Sequence, residues 1–222
     1  MTESPEGFTL FSVLDGGSFD GDLDAVTDAF DAAVAEWEVR GVVLRGIYDV
    51  SGLRADGTVM LWLHGPRLED LQAALRALRA TDLLKGTILT WSAAGVHRPA
   101  EFNRAHVPGF LRGERARNWL AVYPFVRSYD WYLLAEEERS TMLREHGVKG
   151  AAFKGVVANT VAAFALGDYE WLLPMEADEV TDLVDMMRDL RYTEARRHVR
   201  EELPFYTGRR ATTREIAQVL GA

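Results

Sequence analysis

Cysteine is absent from this chain of 222 residues. Its absence excludes disulfides, thiolate metal sites, iron–sulfur clusters and c-type haem attachment, and it is typical of a reducing cytoplasm. Long apolar runs are lacking too, so the sequence predicts no membrane-spanning helix. The first residues, MTESPEGFTLF, are acidic and lack the basic start and apolar region of a signal peptide. We therefore expect a cytoplasmic protein.

Positive charge is also scarce, with 25 Lys and Arg against 34 Asp and Glu and a net charge of −9. This balance gives no basic surface for nucleic acid or anionic lipid. No P-loop, Rossmann glycine fingerprint, HExxH or G-x-S-x-G motif occurs, which removes the common nucleotide, protease and hydrolase readings. Hydrophobic residues make up 48% of the chain, enough for a folded core.

What the sequence does contain is an internal repeat. GTVMLWLHGPRLEDLQAALRALRAT (57–81) and YEWLLPMEADEVTDLVDMMRDLRYT (169–193) align without a gap at an offset of 112. Each copy is a short apolar run followed by an amphipathic helix, and Asp178 is the predicted N-cap of the second helix. The repeat predicts two similar structural units in tandem.

Each half reads strand, helix, strand, strand, helix and closing strand, which is the order of a ferredoxin-like α+β unit. The closing strands are expected at 87–91 and near 203–207. The segment HRPAEFNRAHVPGFLRGERAR between the halves is too long for a simple turn and is typical of a functional linker. The predicted organisation is an N-terminal repeat (1–96), a linker (97–117) and a C-terminal repeat (118–222).

The densest aromatic stretch, NWLAVYPFVRSYDWYLL (118–134), also contains an arginine. Strand alternation would place five side chains on one face. An arginine in such a row has two interpretations: it lies over the rings with its tip in water, or it lines a pocket for a flat ligand that carries carboxylates. The five side chains are Tyr123, Phe125, Arg127, Tyr129 and Trp131.

Among the five histidines, His146 is placed best for a special role. It follows Met142 and Leu143 by four and three residues on a predicted helix over 136–146, so it shares their inward face, and Gly147 is a suitable residue to end that helix. His146 is either a histidine favoured by the helix dipole or an axial ligand to a metal. His106, in the linker, is an exposed loop residue or a second functional histidine.

The motifs YPFVRSYDWYLL, MLREHG and ALGDYEWLLPMEADE, together with the tandem repeat, resemble the chlorite dismutase-like superfamily. Within it the chain resembles the coproheme decarboxylases of the actinobacterial branch, and the resemblance covers nearly the whole sequence. It implies an α+β fold of tandem ferredoxin-like repeats, of the dimeric α+β-barrel type. The porphyrin is expected in the C-terminal repeat and the N-terminal repeat is expected to be a haem-free scaffold.

The resemblance also implies residue roles. The histidine of EHG, His146, would hold the haem iron, and the tyrosine of YP, Tyr123, would be catalytic. His106, 17 residues before Tyr123, would be the distal base that activates peroxide. Further candidates for contacts with the propionates are Arg127, Trp131 and Arg196, with Arg144 and Arg117 as unranked alternatives to Arg196.

A departure within the superfamily narrows the expected chemistry. Chlorite dismutases carry a distal arginine 13 residues after the proximal histidine, and firmicute-type decarboxylases carry glutamine there. This sequence has Asn159 at that position, which we expect to face the substrate. Chlorite chemistry is therefore not expected, and the distal role would pass to His106.

The activity implied by the resemblance is the last step of coproporphyrin-dependent haem biosynthesis. Hydrogen peroxide would oxidise two propionates of iron coproporphyrin III (coproheme) to vinyl groups, giving haem b and two CO₂. The resemblance further implies a homopentamer and names coproporphyrin ferrochelatase as a candidate partner. Two alternatives stay open at this point: another haem peroxidase on the same fold, or a non-enzymatic haem-binding or transfer protein.

Overall fold

A computed structural model describes residues 7–18, 21–98 and 107–221 of the chain. They divide into two compact units. The N-terminal unit comprises the described residues up to Val96 together with those from Tyr206 onward, and the C-terminal unit comprises those between His97 and Phe205. Across these described stretches no helix is long and apolar enough to cross a membrane.

The N-terminal unit begins with the predicted ferredoxin-like order. Four antiparallel strands form one sheet, in which the first strand along the chain lies between the third and the fourth and the second pairs with the third, and two helices cover the apolar face of the sheet. Asp22 caps the first helix, because its carboxylate accepts a hydrogen bond from the Ala25 N–H. The elements are β1 (Phe8–Asp15), α1 (Leu23–Val39), β2 (Val43–Asp49), β3 (Val59–Gly65), α2 (Leu68–Ala80) and β4 (Ile88–Val96).

The C-terminal unit repeats this arrangement with shorter edge strands. Its two central strands are antiparallel, with Tyr123 opposite Leu173. Two short strands pair with the strand of Leu173, and one short strand pairs with the strand of Tyr123. Turns of 3₁₀ helix lie at Trp131–Leu133 and Glu194–His198. The elements are β5 (Trp119–Arg127), α3 (Glu136–Ala151), β6 (Val157–Ala158), β7 (Val161–Ala162), β8 (Trp171–Ala177), α4 (Val180–Leu190) and β9 (Val199–Glu201).

The structure confirms the internal repeat at the level of element ends. Strand β3 begins at Val59 and β8 at Trp171, and helix α2 begins at Leu68 and α4 at Val180; both differences are 112. Two copies of one pattern therefore fold into two copies of one strand–helix unit.

Two local expectations about the helices of the C-terminal unit were wrong. Helix α3 does not end at His146 but runs through Gly147 to Ala151, because glycine inside a helix is tolerated when the flanking turns are helical. Asp178 is not the N-cap of α4: Glu179 holds that position without a side-chain cap. The Asp178 carboxylate instead pairs with Arg115.

The last residues fold onto the N-terminal unit. Strand β10 (Tyr206–Ala211) pairs with β2, and helix α5 (Thr213–Leu220) follows it, begun by a capping box of Thr212 and Glu215. The closing strand expected near 203–207 therefore extends the N-terminal sheet, and β9 closes the C-terminal one. Residues 206–221 fall outside the C-terminal unit, unlike the predicted 118–222 repeat.

Candidate active site

Strand β5 places the first residues of the aromatic row but not the last. We expected the strand to place Tyr129 and Trp131 on the same face as Arg127, but the strand ends at Arg127 and the alternation stops there. Tyr129 is 78% exposed and accepts a hydrogen bond from Arg200. Trp131 lies in the following 3₁₀ turn and is fully buried. A turn, rather than the strand, brings this indole back beneath Arg127.

Arg127 lies over two of the rings of the row. Its guanidinium carbon is 3.9 Å from the centroid of Trp131 and 4.4 Å from that of Phe125. This is the stacked arrangement of the first interpretation. Stacking uses the face of the guanidinium, whereas its N–H groups point outward in the plane of the group, the geometry in which arginine binds carboxylates. The two interpretations are therefore compatible.

His146 lies on α3, half-buried, with its Nδ1 3.5 Å from the Thr193 hydroxyl oxygen. That hydroxyl donates its own hydrogen to the Leu190 carbonyl at 3.0 Å, so it can only accept from the imidazole. The proton then sits on Nδ1 and Nε2 keeps a lone pair. Burial, and then the charge of Arg127, lowers the pKa of His146 and favours the neutral ring. A neutral imidazole with a fixed tautomer fits an axial iron ligand.

Tyr123 is deeply covered, with 3% of its surface exposed. Its ring stacks on Phe205 at a centroid distance of 4.2 Å, and its hydroxyl donates to the Met187 sulfur at 3.4 Å. Burial raises the pKa of Tyr123, and the negative charge of Glu202 raises it further. The phenol therefore keeps its proton throughout the physiological pH range, as a donor of a hydrogen atom must.

An arginine pair lies near Tyr123. Arg191 and Arg196 both bind the Glu202 carboxylate, with Nη1 of Arg191 2.6 Å and Nη1 of Arg196 2.9 Å from Oε2. Their positive charges act to lower the Tyr123 pKa, opposing Glu202. Sequence reasoning singled out Arg196 but missed Arg191 and Glu202. The repeat held a signal for Arg191, which aligns with Arg79, although nothing in it marked a site.

The other two arginines considered for this role lie elsewhere in the C-terminal unit. Arg117 pairs with Asp178 at 3.2 Å, and exposed Arg144 contacts Thr141 of its own helix. Neither lies in the cluster around Tyr123 that Arg191, Arg196 and Glu202 form.

Asn159 is fully buried and its amide bonds within the protein. Its oxygen accepts from the Phe110 N–H at 3.0 Å, and its nitrogen donates to the Glu176 carboxylate at 3.1 Å. Asn159 thereby ties the described end of the linker to β8. Its contact with substrate stays a prediction, and so does the distal role of His106, which lies outside the described residues.

An open cleft of about 470 Å³ borders α3 but does not suit a porphyrin. Three of its seven lining residues are glutamates, which would repel a molecule bearing four propionates. The candidate site residues Arg127, His146 and Tyr123 do not line it. The cleft is lined by Leu134, Glu137, Glu138, Thr141, Met142, Glu194 and His198.

Taken together, the C-terminal unit holds two groups of candidate residues. In the first group, Arg127 stacks on Trp131, and its positive charge lowers the pKa of His146. In the second group, the positive charge of Arg196 acts to lower the pKa of Tyr123. The segment that follows α4 links them, because it carries both Thr193, beside His146, and Arg196. These residues fit an iron porphyrin with carboxylates: a neutral imidazole for the metal, cations for the propionates and a protonated phenol.

Comparison with known proteins identifies relatives along most of the chain. The chain is 50% identical to the coproheme decarboxylase of Mycolicibacterium smegmatis over 94% of its length and 90% of the relative. It is 25% identical to the coproheme decarboxylase of Staphylococcus carnosus, over 73% and 71% of the two chains.

Solved structures extend the comparison to the fold. The chain superposes with a TM-score of 0.82 on the structure of chlorite dismutase from Candidatus Nitrospira defluvii in complex with imidazole. The two are 20% identical, and the alignment covers 100% of this chain and 97% of the chlorite dismutase chain. The predicted chlorite dismutase-like α+β fold is thereby confirmed. A family model described as chlorite dismutase matches residues 23–211. The chain belongs to the chlorite dismutase family.

Proposed function

We propose that this chain is a coproheme decarboxylase that converts iron coproporphyrin III to haem b in the cytoplasm. The observation that carries the proposal is the 50% identity to the coproheme decarboxylase of Mycolicibacterium smegmatis across 94% of the chain. At that identity and coverage the whole enzyme is shared, rather than one motif. The two groups of candidate residues in the C-terminal unit, one with Arg127 and His146 and one with Tyr123, supply the residue types that the chemistry needs.

The reaction is an oxidation in which hydrogen peroxide is reduced. One propionic acid group and one H₂O₂ give one vinyl group, one CO₂ and two water molecules, and the cycle occurs twice. The iron of the bound substrate supplies the site at which peroxide is reduced. The β-carbon of each propionate loses a hydrogen, and the C–C bond to the carboxyl group breaks.

The protein residues bind, orient and move hydrogen. His146 holds the iron through Nε2, because Thr193 keeps the proton on Nδ1. Arg127 fixes a propionate by charge-assisted hydrogen bonds, with Trp131 as the floor beneath its guanidinium. Tyr123 gives up its hydroxyl hydrogen and then takes one from the propionate β-carbon. His106 would serve as the general base that takes a proton from peroxide.

Mass spectrometry of the porphyrin tests the proposal. The ferric coproheme complex, titrated with peroxide, should lose the equivalent of formic acid twice in succession. A porphyrin of unchanged mass while peroxide and an added dye are consumed would establish a peroxidase instead. Unchanged mass without peroxide consumption would establish a carrier.

Assembly and delivery belong to the same proposal. We expect a homopentamer that receives coproheme from coproporphyrin ferrochelatase. Sedimentation velocity of the purified chain tests the first expectation. Transfer of coproheme from ferrochelatase at a rate that depends on the concentration of this chain tests the second, since simple release into solution would make the rate independent of it.

A further inference from the structure

The segment Glu202–Phe205, which we call the strap, covers the catalytic tyrosine. Strand β9 ends at Glu201, where it is paired with Val126 of β5, and the strap follows it. Phe205 stacks on the Tyr123 ring with an angle of 16° between the planes. A substrate carbon cannot reach the phenol while this ring lies against it, since Tyr123 is only 3% exposed.

At the other end of the strap, Glu202 forms ion pairs with two arginines. The Glu202 side chain is 16% exposed and reaches both Arg191 and Arg196. Two guanidinium groups that converge on one carboxylate form a good binding site for a carboxylate of any origin. Their bond to Glu202 is also partly withdrawn from water, so it is stronger than an ordinary surface pair.

We propose that Arg191 and Arg196 form a binding site for a substrate propionate, and that Glu202 is the internal carboxylate that the propionate displaces. Exchange of one carboxylate for the other releases the strap, lifts Phe205 from Tyr123 and opens the phenol to the substrate. This proposal rests on the proposed function, because it takes the substrate to be a porphyrin propionate.

Charge supports the exchange. Two arginines against one glutamate leave a local excess of one positive charge, which Glu202 alone does not balance. The chain itself keeps the bound carboxylate near the phenol, because Glu202 and Phe205 are the two ends of the short strap and the Phe205 ring stacks on Tyr123. Neighbouring ion pairs are different: Arg188 and Asp185, 3.8 Å apart on α4, are both mostly exposed.

Binding of metal-free coproporphyrin III, followed by quenching of tryptophan fluorescence, tests the site without iron ligation or turnover. Glu202→Gln removes the competing charge and should tighten binding about 5-fold, the scale of one partly exposed ion pair. The double variant Arg191→Gln, Arg196→Gln should weaken binding about 10-fold or more, and adding Glu202→Gln to it should change nothing further. Asp185→Asn is the matched control, since it removes one exposed carboxylate from an arginine, and it should leave the Kd unchanged.

Unchanged or weaker binding by Glu202→Gln would overturn the proposal, and so would equal tightening by Asp185→Asn, which would indicate only a general charge effect. Hydrogen exchange of the wild-type chain gives an independent readout. On binding coproporphyrin III, the amides of Glu202, Leu203 and Phe205 should exchange faster while those of β5 are protected. Slower exchange in the strap would contradict the displacement.

Failure of the proposed function is distinguishable from failure of this site. If the wild-type complex never loses CO₂ with peroxide but the binding variants behave as stated, the decarboxylase proposal fails and the carboxylate site stands. If the wild-type complex loses CO₂ but the binding variants have the same Kd as the wild-type chain, the decarboxylase proposal stands and the carboxylate site fails.

Discussion

At the scale of single residues, the environment of each side chain decides which chemistry it can do. Tyr123 illustrates this, because seven tyrosines occur in the sequence but burial raises the pKa of this one. Tyr129, six positions on, is 78% exposed and bonds to Arg200. The environment of Tyr123 therefore suits the hydrogen-atom donor that we propose, whereas Tyr129 is a surface group.

Tyr123→Phe should bind coproheme with an unchanged Kd and fail to decarboxylate it. Phenylalanine keeps the stack on Phe205 and loses only the hydroxyl, whose bond to the Met187 sulfur is weak. Mass spectrometry after peroxide addition gives the answer. Tyr129→Phe is the control and should turn over normally; full turnover by the Tyr123 variant would remove this residue from the mechanism.

His146→Ala should lose axial ligation while the fold is retained, since the ring is half-buried on a helix and is not central to the core. EPR and resonance Raman spectra of the ferric complex should lose the histidine-ligated signature. Added imidazole should restore part of it, because the substitution leaves a cavity of imidazole size. A wild-type spectrum in the variant, without imidazole, contradicts the assignment.

His106→Ala should slow the reaction of ferric coproheme with peroxide by roughly 10²–10⁴-fold near neutral pH, the usual contribution of a general base. The rate should recover in part as pH rises, because more hydroperoxide anion is then present without help. Stopped-flow mixing across pH measures both effects. Wild-type rates at neutral pH would return His106 to the role of an exposed loop residue.

At the level of secondary-structure elements, the two copies of the repeat share a threonine after the second helix, and this threonine has an additional contact in one copy. Thr81 and Thr193 occupy equivalent positions just after α2 and α4, and each hydroxyl donates to a carbonyl three residues back. This bond terminates the helix in both copies. Only in the C-terminal copy does the same oxygen also meet an imidazole, that of His146.

Thr193→Val should therefore change the iron site as well as the fold. Both Thr193→Val and Thr81→Val lose the hydrogen bond from the hydroxyl to a carbonyl in the last turn of the helix, and this loss should reduce the free energy of unfolding by about 1 kcal/mol in each variant. Only Thr193→Val should shift the iron–imidazole stretching frequency of the ferrous complex, because it alone removes the acceptor for the Nδ1 hydrogen. Equal spectra for the two variants would reduce Thr193 to a helix-ending residue.

At the scale of the whole molecule, we expect two units of the same architecture to have different tasks. The N-terminal unit has a histidine, His64, whose pKa burial and then Arg45 lower to about 4, but it lies on strand β3 and not on the helix that corresponds to α3. Helix α1 carries no histidine, and β1 carries neither tyrosine nor arginine. We interpret this unit as a scaffold.

Coproheme titration should therefore saturate at one porphyrin per chain, all of it in the C-terminal unit. Absorbance of the bound porphyrin gives the ratio, and His64→Ala should leave both the ratio and the ferric spectrum unchanged. Two equivalents per chain, or a changed spectrum in the His64 variant, would place porphyrin in the N-terminal unit.

The features that depend on local pattern could be predicted from the residues alone. Apolar periodicity and the gap-free repeat predicted the order of strands and helices, and the motifs around Tyr123 and His146 predicted the family. The predicted end of α3 and the predicted N-cap of α4 were wrong, because Gly147 and Asp178 are residues with more than one structural use. Glycine tolerates a helix interior, and an aspartate can pair with Arg115 instead of capping.

Contacts between segments that are distant in the sequence are visible only in three dimensions. Strand β10 joins the N-terminal sheet, Trp131 comes beneath Arg127 through a turn, and Thr193 meets His146 across 47 residues of chain. The ion pairs of Glu202 with Arg191 and Arg196 could not be predicted either, because in the sequence these residues are ordinary charges in a polar stretch. Such pairings depend on chain direction and packing in three dimensions, which no periodicity in the sequence records.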